Sequence, residues 1–494
     1  MKSLPEAIAS IPATVLQAAE TLHKGGFEAY LVGGCVRDVL RETKPKDWDI
    51  ATNATPEQIQ GLFPHTFYEN KFGTVGVVND GEEDETLKTI EITTYRTEST
   101  YSDNRRPDEV AFSQDIEEDL KRRDFTINAI ALDPIKGQVV DPHKGQEDLA
   151  TGLLRAVGAA SERFQEDALR MLRAVRIATQ LGFAIEGETL RAISENRALL
   201  GKISKERIRD EFVKILMTER PKEGFELCHK AGILSYVAPD LERGIGVDQN
   251  QAHKFDVYEH NLRTLQHAAD KGWSMEVRLA SLMHDISKPE TRRWSEEKKD
   301  WTFHGHEVVG ARVTKKFLEY LHFPNKTIDK VTSLVRWHMF FSDPEKITLS
   351  AIRRIVRNIG EENIWDLMNL RVCDRIGTGR PKENPYRFRK YKSMVEEVLR
   401  DPISVGMLAI NGSDLMQELG IAPGPRIGHM LHALLEEVLN DPTLNTREKL
   451  LEMAKNLNIL TDTELKKRGE SGKGKKEALE SENIQEIRSK YGVS

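Results

Sequence analysis

The chain has 494 residues and a formal net charge of −7, with 39% hydrophobic and 31% charged residues. This composition predicts roughly three or four ordinary domains, and no stretch reaches the roughly 18 uninterrupted apolar residues of a membrane span, which argues against a membrane partner. The widely separated Cys35, Cys228 and Cys373 argue against a disulfide framework and a thiolate zinc site, and the N-terminus lacks a signal-peptide core, so we expect a cytoplasmic protein.

Strand-like and helix-like segments alternate over the first 150 residues. Residues 1–28 predict an amphipathic helix, and YLVGG at 30–34 predicts a strand that ends in a glycine turn. Two strand-like runs rich in Val, Thr and Ile follow at 71–79 and 86–96. We therefore predict an α/β head over residues 1–150.

Beyond the head the strand signal nearly vanishes and the pattern becomes helical. We predict a helical neck at 151–220, a helical domain at 221–400 that carries most of the fourteen histidines, and a helical tail at 401–460. Residues 461–494 are charged and poor in apolar residues, so we expect a disordered or marginally helical segment there. The predicted fold class is multidomain α+β.

Two carboxylates in the head point to a metal. Asp47 and Asp49 flank Trp48 in a strand-like segment, so they should face one side while Trp48 turns into the core. Oxygen ligands of this kind suit Mg²⁺, and Glu91 in the strand-like TIEITTYR is a third candidate. A surface turn with solvated acids is the ordinary alternative for an isolated Asp-x-Asp.

The segment upstream favours a phosphate site over that alternative. Gly33 and Gly34 follow a predicted strand and precede a predicted helix, so backbone amides can cradle a triphosphate there. Arg37 lies in the first turns of that helix and can pair with phosphate oxygens. Together with the Asp-x-Asp segment, this order predicts a site for a nucleoside triphosphate.

Five ordered segments resemble the class II tRNA nucleotidyltransferases and bacterial poly(A) polymerases, namely GGCVRD, PKDWDIAT, EITTYR, RRDFTINAIA and EDALRMLRAVR. The resemblance covers roughly residues 28–215 and implies a head similar to the DNA polymerase β-like nucleotidyltransferases. It implies that Asp47 and Asp49 bind catalytic magnesium, with Glu91 as the third carboxylate. It also implies template-independent addition of C and A from CTP and ATP to the 3′ end of tRNA, with no DNA partner.

The segment RRDFTINAIA places Arg123 and Asp124 before an amphipathic stretch, with Asn128 one turn further on. By itself this pattern indicates a helix entry with solvated charges. The resemblance implies ribose and triphosphate contacts for Arg123, Asp124 and Asn128, with Arg123 as the phosphate binder and Asn128 supporting it.

Residues 161–183 predict one helix, on which Asp167 and Arg170 are neighbours three residues apart. A carboxylate only accepts hydrogen bonds and a guanidinium only donates them. Cytosine and adenine each offer an amine beside a ring acceptor, which matches this pair, whereas guanine and uracil present the reverse pattern. The pair can therefore select C and A without a template, although an intrahelical salt bridge is the structural alternative.

The resemblance assigns this base-reading role to Glu166, Asp167 and Arg170. It implies phosphate or RNA contacts for Arg173 and Arg176, for which solvated helix positions are the equal alternative. Between EITTYR and RRDF lies a polar, turn-rich stretch that is similar to the loop with which the family switches from C to A addition, and Arg105 is our candidate for its arginine.

A second constellation follows the order H…HD…H…H…D. In the full order it resembles the HD phosphohydrolase superfamily, which implies a two-metal site for an unidentified divalent transition metal. The six implied ligands are His260, His284, Asp285, His306, His338 and Asp374. His253 and His304 fit the spacing less well, and a vestigial domain that only helps to hold RNA is the alternative to an active one.

The helical tail resembles a small terminal domain that grips tRNA in similar enzymes, with plain helical packing as the alternative. Within the family, an A-adding enzyme or a poly(A) polymerase competes with a CCA-adding enzyme as the interpretation. From other classes, the rivals are a metal phosphohydrolase with an RNA-binding head and a non-catalytic RNA-binding protein.

Overall fold

A computed structural model describes residues 4–68, 73–99, 109–250, 254–340, 345–400 and 405–493. Arg105 and His253 lie outside the described residues. No helix in the described part of the chain is long and apolar enough to cross a membrane.

The head is built on a mixed sheet. Its strands are β1 (Tyr30–Val32), β2 (Asp49–Thr52), β3 (Thr66–Tyr68), β4 (Thr74–Val78), β5 (Thr89–Thr94), β6 (Arg96–Ser99), β7 (Glu109–Phe112), β8 (Ala131–Asp133) and β9 (Gln138–Val140). Seven of them form one sheet in the order β3-β4-β5-β2-β1-β8-β9, and β6 pairs separately with β7. Within the seven-stranded sheet β2 and β5 are parallel, and the other neighbours are antiparallel.

The helices of the head are α1 (Leu4–Ala9), α2 (Ala13–Lys24), α3 (Gly34–Leu40), α4 (Pro56–Leu62), α5 (Ile116–Lys121) and α6 (Gly145–Thr151). The predicted first helix is thus two helices, because Pro12 precedes α2 and a proline does not continue a helix. Leu31, Ile50, Ile90 and Ile92 on the central strands are fully buried. This apolar centre fixes the strands that end at the candidate site.

The rest of the chain is almost entirely helical, as predicted. Two short strand pairs occur, β10 (Leu153–Leu154) with β11 (Ala184–Ile185) and β12 (Arg293–Ser295) with β13 (Asp300–Thr302). The helices up to residue 337 are α7 (Ala160–Glu166), α8 (Leu169–Leu181), α9 (Gly187–Asn196), α10 (Lys205–Leu216), α11 (Pro221–Lys230), α12 (Leu234–Val237), α13 (Pro239–Glu242), α14 (Val257–Asp270), α15 (Met275–Met283), α16 (Lys288–Thr291), α17 (His306–Tyr320) and α18 (Asn325–Trp337).

The remaining helices are α19 (Leu349–Ile359), α20 (Ile364–Gly377), α21 (Tyr386–Leu399), α22 (Gly412–Leu419), α23 (Pro425–Asn440), α24 (Arg447–Asn458) and α25 (Asp462–Tyr491). Short 3₁₀ turns lie at Thr126–Asn128, Arg197–Lys202, Val405–Met407 and Pro442–Leu444.

The chain divides into two compact units. Unit 1 comprises Met1–His338 and Asn369–Pro381, and unit 2 comprises Met339–Met368 and Lys382–Ser494. Unit 1 thus takes in two separate parts of the predicted domain at 221–400, and unit 2 takes in the rest of it together with the predicted tail at 401–460. The reason is that the end of α20 returns to unit 1, where Cys373 packs with Ala268 and Val277.

Residues 461–494, for which we expected a disordered or marginally helical segment, contain one long helix. This helix, α25 (Asp462–Tyr491), begins with a capping box between Thr461 and Glu464 and ends at Gly492 in a left-handed conformation. The caps satisfy backbone groups at the two ends of the helix, and α25 packs along α23. The charged composition of the segment did not reveal these caps or this packing.

Candidate active site and metal centre

The glycine turn at the end of β1 faces the predicted carboxylates. Gly33 has φ +77°, a conformation that favours glycine. A Cβ atom at Gly33 would lie 3.3 Å from Nη1 of Arg123 and 3.5 Å from Oδ2 of Asp49. A Cβ atom at Gly34 would lie 3.5 Å from Nη2 of Arg37 and 3.9 Å from Oδ1 of Asp47. Both aspartates and both arginines thus meet at one turn.

The sheet sets the positions of the three acidic residues. Asp49 begins β2 and is the register partner of Glu91 on the parallel strand β5. The backbone N–H of Glu91 donates to the carbonyl oxygen of Trp48 at 3.0 Å. Trp48 is buried, with 2% of its surface exposed, whereas Asp47 is exposed and Asp49 and Glu91 are half-buried. This arrangement of carboxylates at a glycine turn fits Mg²⁺ with a triphosphate.

A hydrogen-bonded chain runs behind the turn. Arg37 Nη1 donates to Asn128 Oδ1 at 2.9 Å, and Asn128 Nδ2 donates to Asp124 Oδ1 at 3.2 Å. Asp124 Oδ2 in turn accepts from Arg173 Nη2 at 2.6 Å. Burial by itself raises the pKa of Asp124, but Arg173 and Arg170 lower it to about 2. Four predicted nucleotide-binding residues therefore form one ionised network.

Asp119 is a further buried acid near the candidate site, and the sequence analysis missed it. Its carboxylate is almost fully buried and accepts from Arg122 Nη2 at 2.6 Å and from Arg123 Nη2 at 3.0 Å. The spacing of three and four residues on a helix was the available signal. Asp119 therefore holds Arg123 in its position beside Gly33.

The predicted single helix of residues 161–183 is wrong. It breaks after Glu166, because Asp167 is extended, with φ −139° and ψ 104°. Oδ1 of Asp167 accepts from the N–H of Leu169 at 3.0 Å, close to the first turn of α8. A side chain that accepts a hydrogen bond from a nearby backbone N–H competes with continuation of the helix. Asp167 and Arg170 are therefore not neighbours on one regular helix surface.

Asp167 and Arg170, the predicted base-reading pair, each form an ion pair with another residue. Asp167 Oδ2 accepts from Arg207 Nη2 on α10 at 2.7 Å. Arg170 donates from Nη1 to Glu166 Oε2 at 2.6 Å and from Nη2 to the carbonyl oxygen of Arg122 at 2.9 Å. Arg207 carried no signal in the sequence, because its spacing from Asp167 is set only by how α10 packs on α8.

Arg176 is also engaged within the protein. Its Nε donates at 2.6 Å to Oε2 of Glu211, whose side chain is only 4% exposed. The contact joins α8 to α10. Arg173 makes the ion pair with Asp124 described above, so both arginines have a structural partner in addition to any contact with RNA.

The six predicted ligands of the histidine constellation come together in unit 1. Two groups, His260–His284–Asp285 and Asp285–His306–His338, each place their ligand atoms within 4.8 Å of one another, and all of these residues are buried. Asp285 belongs to both groups. Asp374 joins them through its Oδ1, which lies 3.4 Å from Nε2 of His260. His304, by contrast, is exposed.

Backbone carbonyls orient three of these imidazoles. Nδ1 lies 3.0 Å from the Ser281 carbonyl oxygen in His284, 2.6 Å from that of Phe303 in His306 and 2.7 Å from that of Val335 in His338. The opposite nitrogen, Nε2, therefore points toward Asp285. Such outer hydrogen bonds typically fix the tautomer of metal-ligating histidines, so the donor set fits a divalent transition metal.

Charge around Asp285 keeps it ionised. Burial raises the pKa of this carboxyl, but His284 and Lys288 hold it well below its usual range. Lys288, which the sequence analysis missed, places Nζ 2.6 Å from Asp285 Oδ2 and is 6% exposed. Its position three residues after the His-Asp pair was the only signal. An ionised carboxylate is the state that a metal ligand requires.

Three family models match successive parts of the chain. The family model described as "Poly A polymerase head domain" matches residues 29–155. The models "Probable RNA and SrmB- binding site of polymerase A" and "tRNA nucleotidyltransferase domain 2 putative" match residues 182–245 and 292–454.

Curated relatives cover nearly the whole chain. A CCA-adding enzyme of Lactiplantibacillus plantarum is 36% identical over 440 residues, which are 88% of this chain and 94% of the relative. The chain belongs to the CCA-adding enzyme family. A second CCA-adding enzyme, from Geobacillus thermodenitrificans, is 32% identical over 87% of this chain and 93% of its own length. The predicted family is thereby confirmed.

Solved structures of CCA-adding enzymes share the fold. The Bacillus stearothermophilus CCA-adding enzyme in complex with CTP matches with a TM-score of 0.58 at 29% identity, over 93% of this chain and 98% of that one. A Thermotoga maritima CCA-adding enzyme complexed with tRNA matches with a TM-score of 0.52 at 19% identity, over 92% and 98%. The second similarity supports the fold alone.

Proposed function

We propose that the protein is a tRNA nucleotidyltransferase that adds C and A to the tRNA 3′ end from CTP and ATP. The observation that carries this proposal is the meeting of Asp47 and Asp49 at the Gly33–Gly34 turn, in a chain whose relatives over most of its length are CCA-adding enzymes. The solved relative that contains CTP supports CTP as a substrate.

In the proposed reaction the terminal 3′ oxygen of the RNA forms a bond to the α-phosphorus of the nucleotide. The bond from that phosphorus to the β-phosphate oxygen breaks, and pyrophosphate leaves. Asp47, Asp49 and Glu91 hold magnesium, which supplies activation of the attacking hydroxyl and charge neutralisation at the leaving group. Arg37 and Arg123 bind the triphosphate at the glycine turn.

Base choice is assigned to Asp167 and Arg170. Asp167 accepts from the exocyclic amine of C or A, and Arg170 donates to the adjacent ring nitrogen. Arg207 holds the Asp167 carboxylate and Glu166 holds the Arg170 guanidinium, each through an ion pair. Arg105 remains our candidate for the loop that switches the site from C to A.

The test is Asp49→Ala with a tRNA that ends at the discriminator base, incubated with CTP, with ATP, or with both. We expect the parent protein to add CC with CTP alone and CCA with both nucleotides. We expect Asp49→Ala to lose at least about a hundredfold in rate, since a metal ligand acts in the transition state. Asp80→Ala, an exposed acid in the same head, is the control that should retain activity.

Two outcomes of this assay would overturn the proposal. Full activity of Asp49→Ala would show that the head only binds RNA. Incorporation of A onto a CC end, with no incorporation from CTP, would indicate an A-adding enzyme instead.

We propose a second function for the His-Asp centre, on the observation that four buried histidines lie around the buried Asp285 carboxylate, with the half-buried Asp374 beside His260. We propose that this centre binds a pair of divalent transition metals and hydrolyses phosphate esters at damaged RNA 3′ ends. The histidines and aspartates of the centre would hold the metals, which would supply activation of water for attack on phosphorus, while Lys288 neutralises charge beside Asp285.

The test uses chelated protein reloaded separately with manganese, nickel, cobalt or zinc. RNAs that end in a 3′ phosphate or a 2′,3′-cyclic phosphate are the substrates. We expect hydrolysis with at least one metal, at least about a hundredfold slower in Asp285→Ala and unchanged in Asp49→Ala. Hydrolysis that survives Asp285→Ala, or that no metal restores, contradicts the proposal and leaves the centre with a structural role.

We also place the protein in the cytoplasm. Cys35, Cys228 and Cys373 are all buried, and Cys35 and Cys228 are free thiols, as is usual in a reducing compartment. Burial raises the pKa of both Cys35 and Cys228 to about 12, so these two are inert thiols rather than nucleophiles.

A further inference from the structure

A β-hairpin lies in the chain between two residues of the His-Asp centre. Its strands, β12 and β13, come after Asp285 and before His306, which both belong to that centre. They form a separate two-stranded sheet. Two strands alone are only marginally stable in water, so side-chain contacts are needed to hold the hairpin together.

Two tryptophans face each other across the hairpin. Trp294 and Trp301 are register partners in the antiparallel pair, so their side chains lie on the same face. Their ring centroids are 5.2 Å apart and the ring planes meet at 77°, an edge-to-face contact that stabilises the hairpin. Of the six tryptophans, all of which lie in the described part of the chain, only Trp294 is exposed, at 48%. Cross-strand packing therefore leaves much of this residue in water.

A guanidinium covers one side of Trp301. The Cζ atom of Arg292 lies 3.7 Å from the centroid of the Trp301 ring, which is a cation–π contact. Nη2 of Arg292 also lies 3.8 Å from the carboxylate of Asp248, but that side chain is 85% exposed, so solvent weakens the ion pair. A planar cation and two indole rings thus lie side by side on the hairpin. Nucleobases of single-stranded RNA stack on surfaces of this kind.

Phe303 joins the hairpin to the metal ligands. It directly follows β13, its carbonyl oxygen lies 2.6 Å from Nδ1 of His306, and the centroid of its ring lies 5.4 Å from Nζ of Lys288. Trp301 precedes Phe303 by two residues, which span about 7 Å of extended chain. The aromatic pair is therefore connected over a short distance to the groups that orient His306 and neutralise Asp285.

We infer that Trp294 and Trp301 form a stacking site for the terminal nucleobase of an RNA whose 3′ phosphate lies at the His-Asp centre. The inference rests on the hydrolase function proposed for that centre, and it names the substrate class as a single-stranded RNA end rather than a small phosphate ester. Stacking tolerates different bases, because every base has a π face. The site therefore recognises an unpaired end without reading its sequence.

The experiment compares two trinucleotides with the metal-loaded full-length protein. Both end in the 3′ phosphate that the protein hydrolyses, and one of them lacks its terminal base. Stacking on an aromatic ring is worth a factor of roughly 5 to 150 per base. We therefore expect the parent protein to prefer the trinucleotide with the base by at least about fivefold in kcat/KM. Trp294→Ala should bring this ratio close to one by slowing only the trinucleotide that has the base.

Trp294→Phe and Trp294→Leu separate stacking from a general apolar contact. The phenylalanine variant should keep the ratio within about threefold of the parent, because it retains an aromatic face, and the leucine variant should lose it. Tyr320→Ala is the matched control, since Tyr320 is 53% exposed and has the Nζ atom of Lys205 4.7 Å from its ring centroid. Tyr320 lies fourteen residues after His306 on the same helix, about 21 Å along its axis, so its loss should leave the ratio unchanged.

Binding to the metal-free protein gives a measurement that does not depend on hydrolysis. The Kd of each trinucleotide, measured by fluorescence anisotropy with a label at the 5′ end, should show the same preference for the base and the same loss in Trp294→Ala.

Three outcomes would overturn the inference. The first is a Trp294→Ala protein that keeps the parent ratio, and the second is one that slows both trinucleotides equally. The third is a Trp294→Leu protein that retains the ratio, which would assign the hairpin to an apolar partner. Binding of the base that depends on Trp294, without hydrolysis by any reloaded metal, supports the stacking site and contradicts the proposed hydrolase function instead.

Discussion

Single residues of the candidate active site act mainly through the partners that fix them. Asp167 and Arg170 are the groups that would touch the base, and each is held by a charged partner, Asp167 by Arg207 on α10 and Arg170 by Glu166 four residues before it. Fixed donors and acceptors discriminate better than mobile ones, because a wrong base then leaves a buried polar group unpaired at a cost of about 1–3 kcal/mol. Positioning residues should therefore affect the choice of nucleotide more than they affect the fold.

Arg207→Ala tests this expectation. We expect kcat/KM for CTP and ATP to fall roughly tenfold to a hundredfold, while the slow incorporation from UTP and GTP changes little, since only correct bases use the oriented Asp167 carboxylate. The ratio of CTP to UTP incorporation is the measurement. Arg207→Lys should recover part of that ratio.

Arg191→Ala is the control for this substitution, because the Arg191 side chain on the nearby helix α9 is 67% exposed. An Arg207→Ala protein that loses stability but keeps its CTP to UTP ratio would give Arg207 a purely structural role.

The spacing of charges along the sequence revealed some residues of the site and hid others. Asp49 and Gly33 were predictable because their chemistry is local to a strand and to a tight turn. Asp119 could have been found from its helical spacing to Arg122 and Arg123. Arg207 could not, because an ion pair between residues 40 positions apart depends on how two helices pack.

At the scale of elements, α25 shows how a polar sequence can form a packed helix. A Cβ atom at Gly469 would lie 2.7 Å from Cα of His429 on α23. A Cβ atom at Gly472 would overlap the carbonyl oxygen of His432. The two glycines, three residues apart, thus allow two helix backbones to approach closely, and this contact replaces the apolar stripe that the sequence lacks.

Opposite effects are expected for two Gly→Ala substitutions in α25. Gly472→Ala should lower the free energy of unfolding of unit 2 by about 1–3 kcal/mol, because the methyl group meets backbone that cannot move aside. Gly474→Ala should raise it by up to about 1 kcal/mol, because nothing lies within 4 Å of that position and alanine favours a helix.

Urea unfolding followed by circular dichroism measures both substitutions. Equal effects of the two would show that α25 does not dock on α23 through these glycines.

The break between α7 and α8 is a second case in which an element differs from its pattern. The apolar periodicity runs through residues 161–183 and predicted one helix, yet Asp167 is extended and its side chain accepts from the backbone N–H of Leu169 at the start of α8. The apolar periodicity of a segment shows which of its faces is buried, but it does not show whether one residue within the segment is extended. The break matters because it turns the Asp167 carboxylate toward α10.

Across the whole molecule, positive and negative charges are unevenly distributed. The chain is acidic overall, while arginines gather behind the glycine turn and on the exposed side of α19, at Arg353, Arg354 and Arg357. A low overall charge limits nonspecific attraction to nucleic acid, and local fields supply the binding where it is needed. Net charge was therefore uninformative about an RNA partner, and only the positions of the charges carried that information.

The sequence by itself determined the family, the order of the head and the helical remainder, and the residue types that meet at the two candidate sites. These features depend on local chemistry, such as carboxylates two residues apart on a strand, glycines at a strand-to-helix turn and an adjacent His-Asp pair. Only the tertiary structure decided that Asp285 is shared by two ligand groups, that Arg207 holds Asp167 and that α25 is a packed helix. Those outcomes depend on distances between elements remote in the chain, and such distances are set by packing that no short motif encodes.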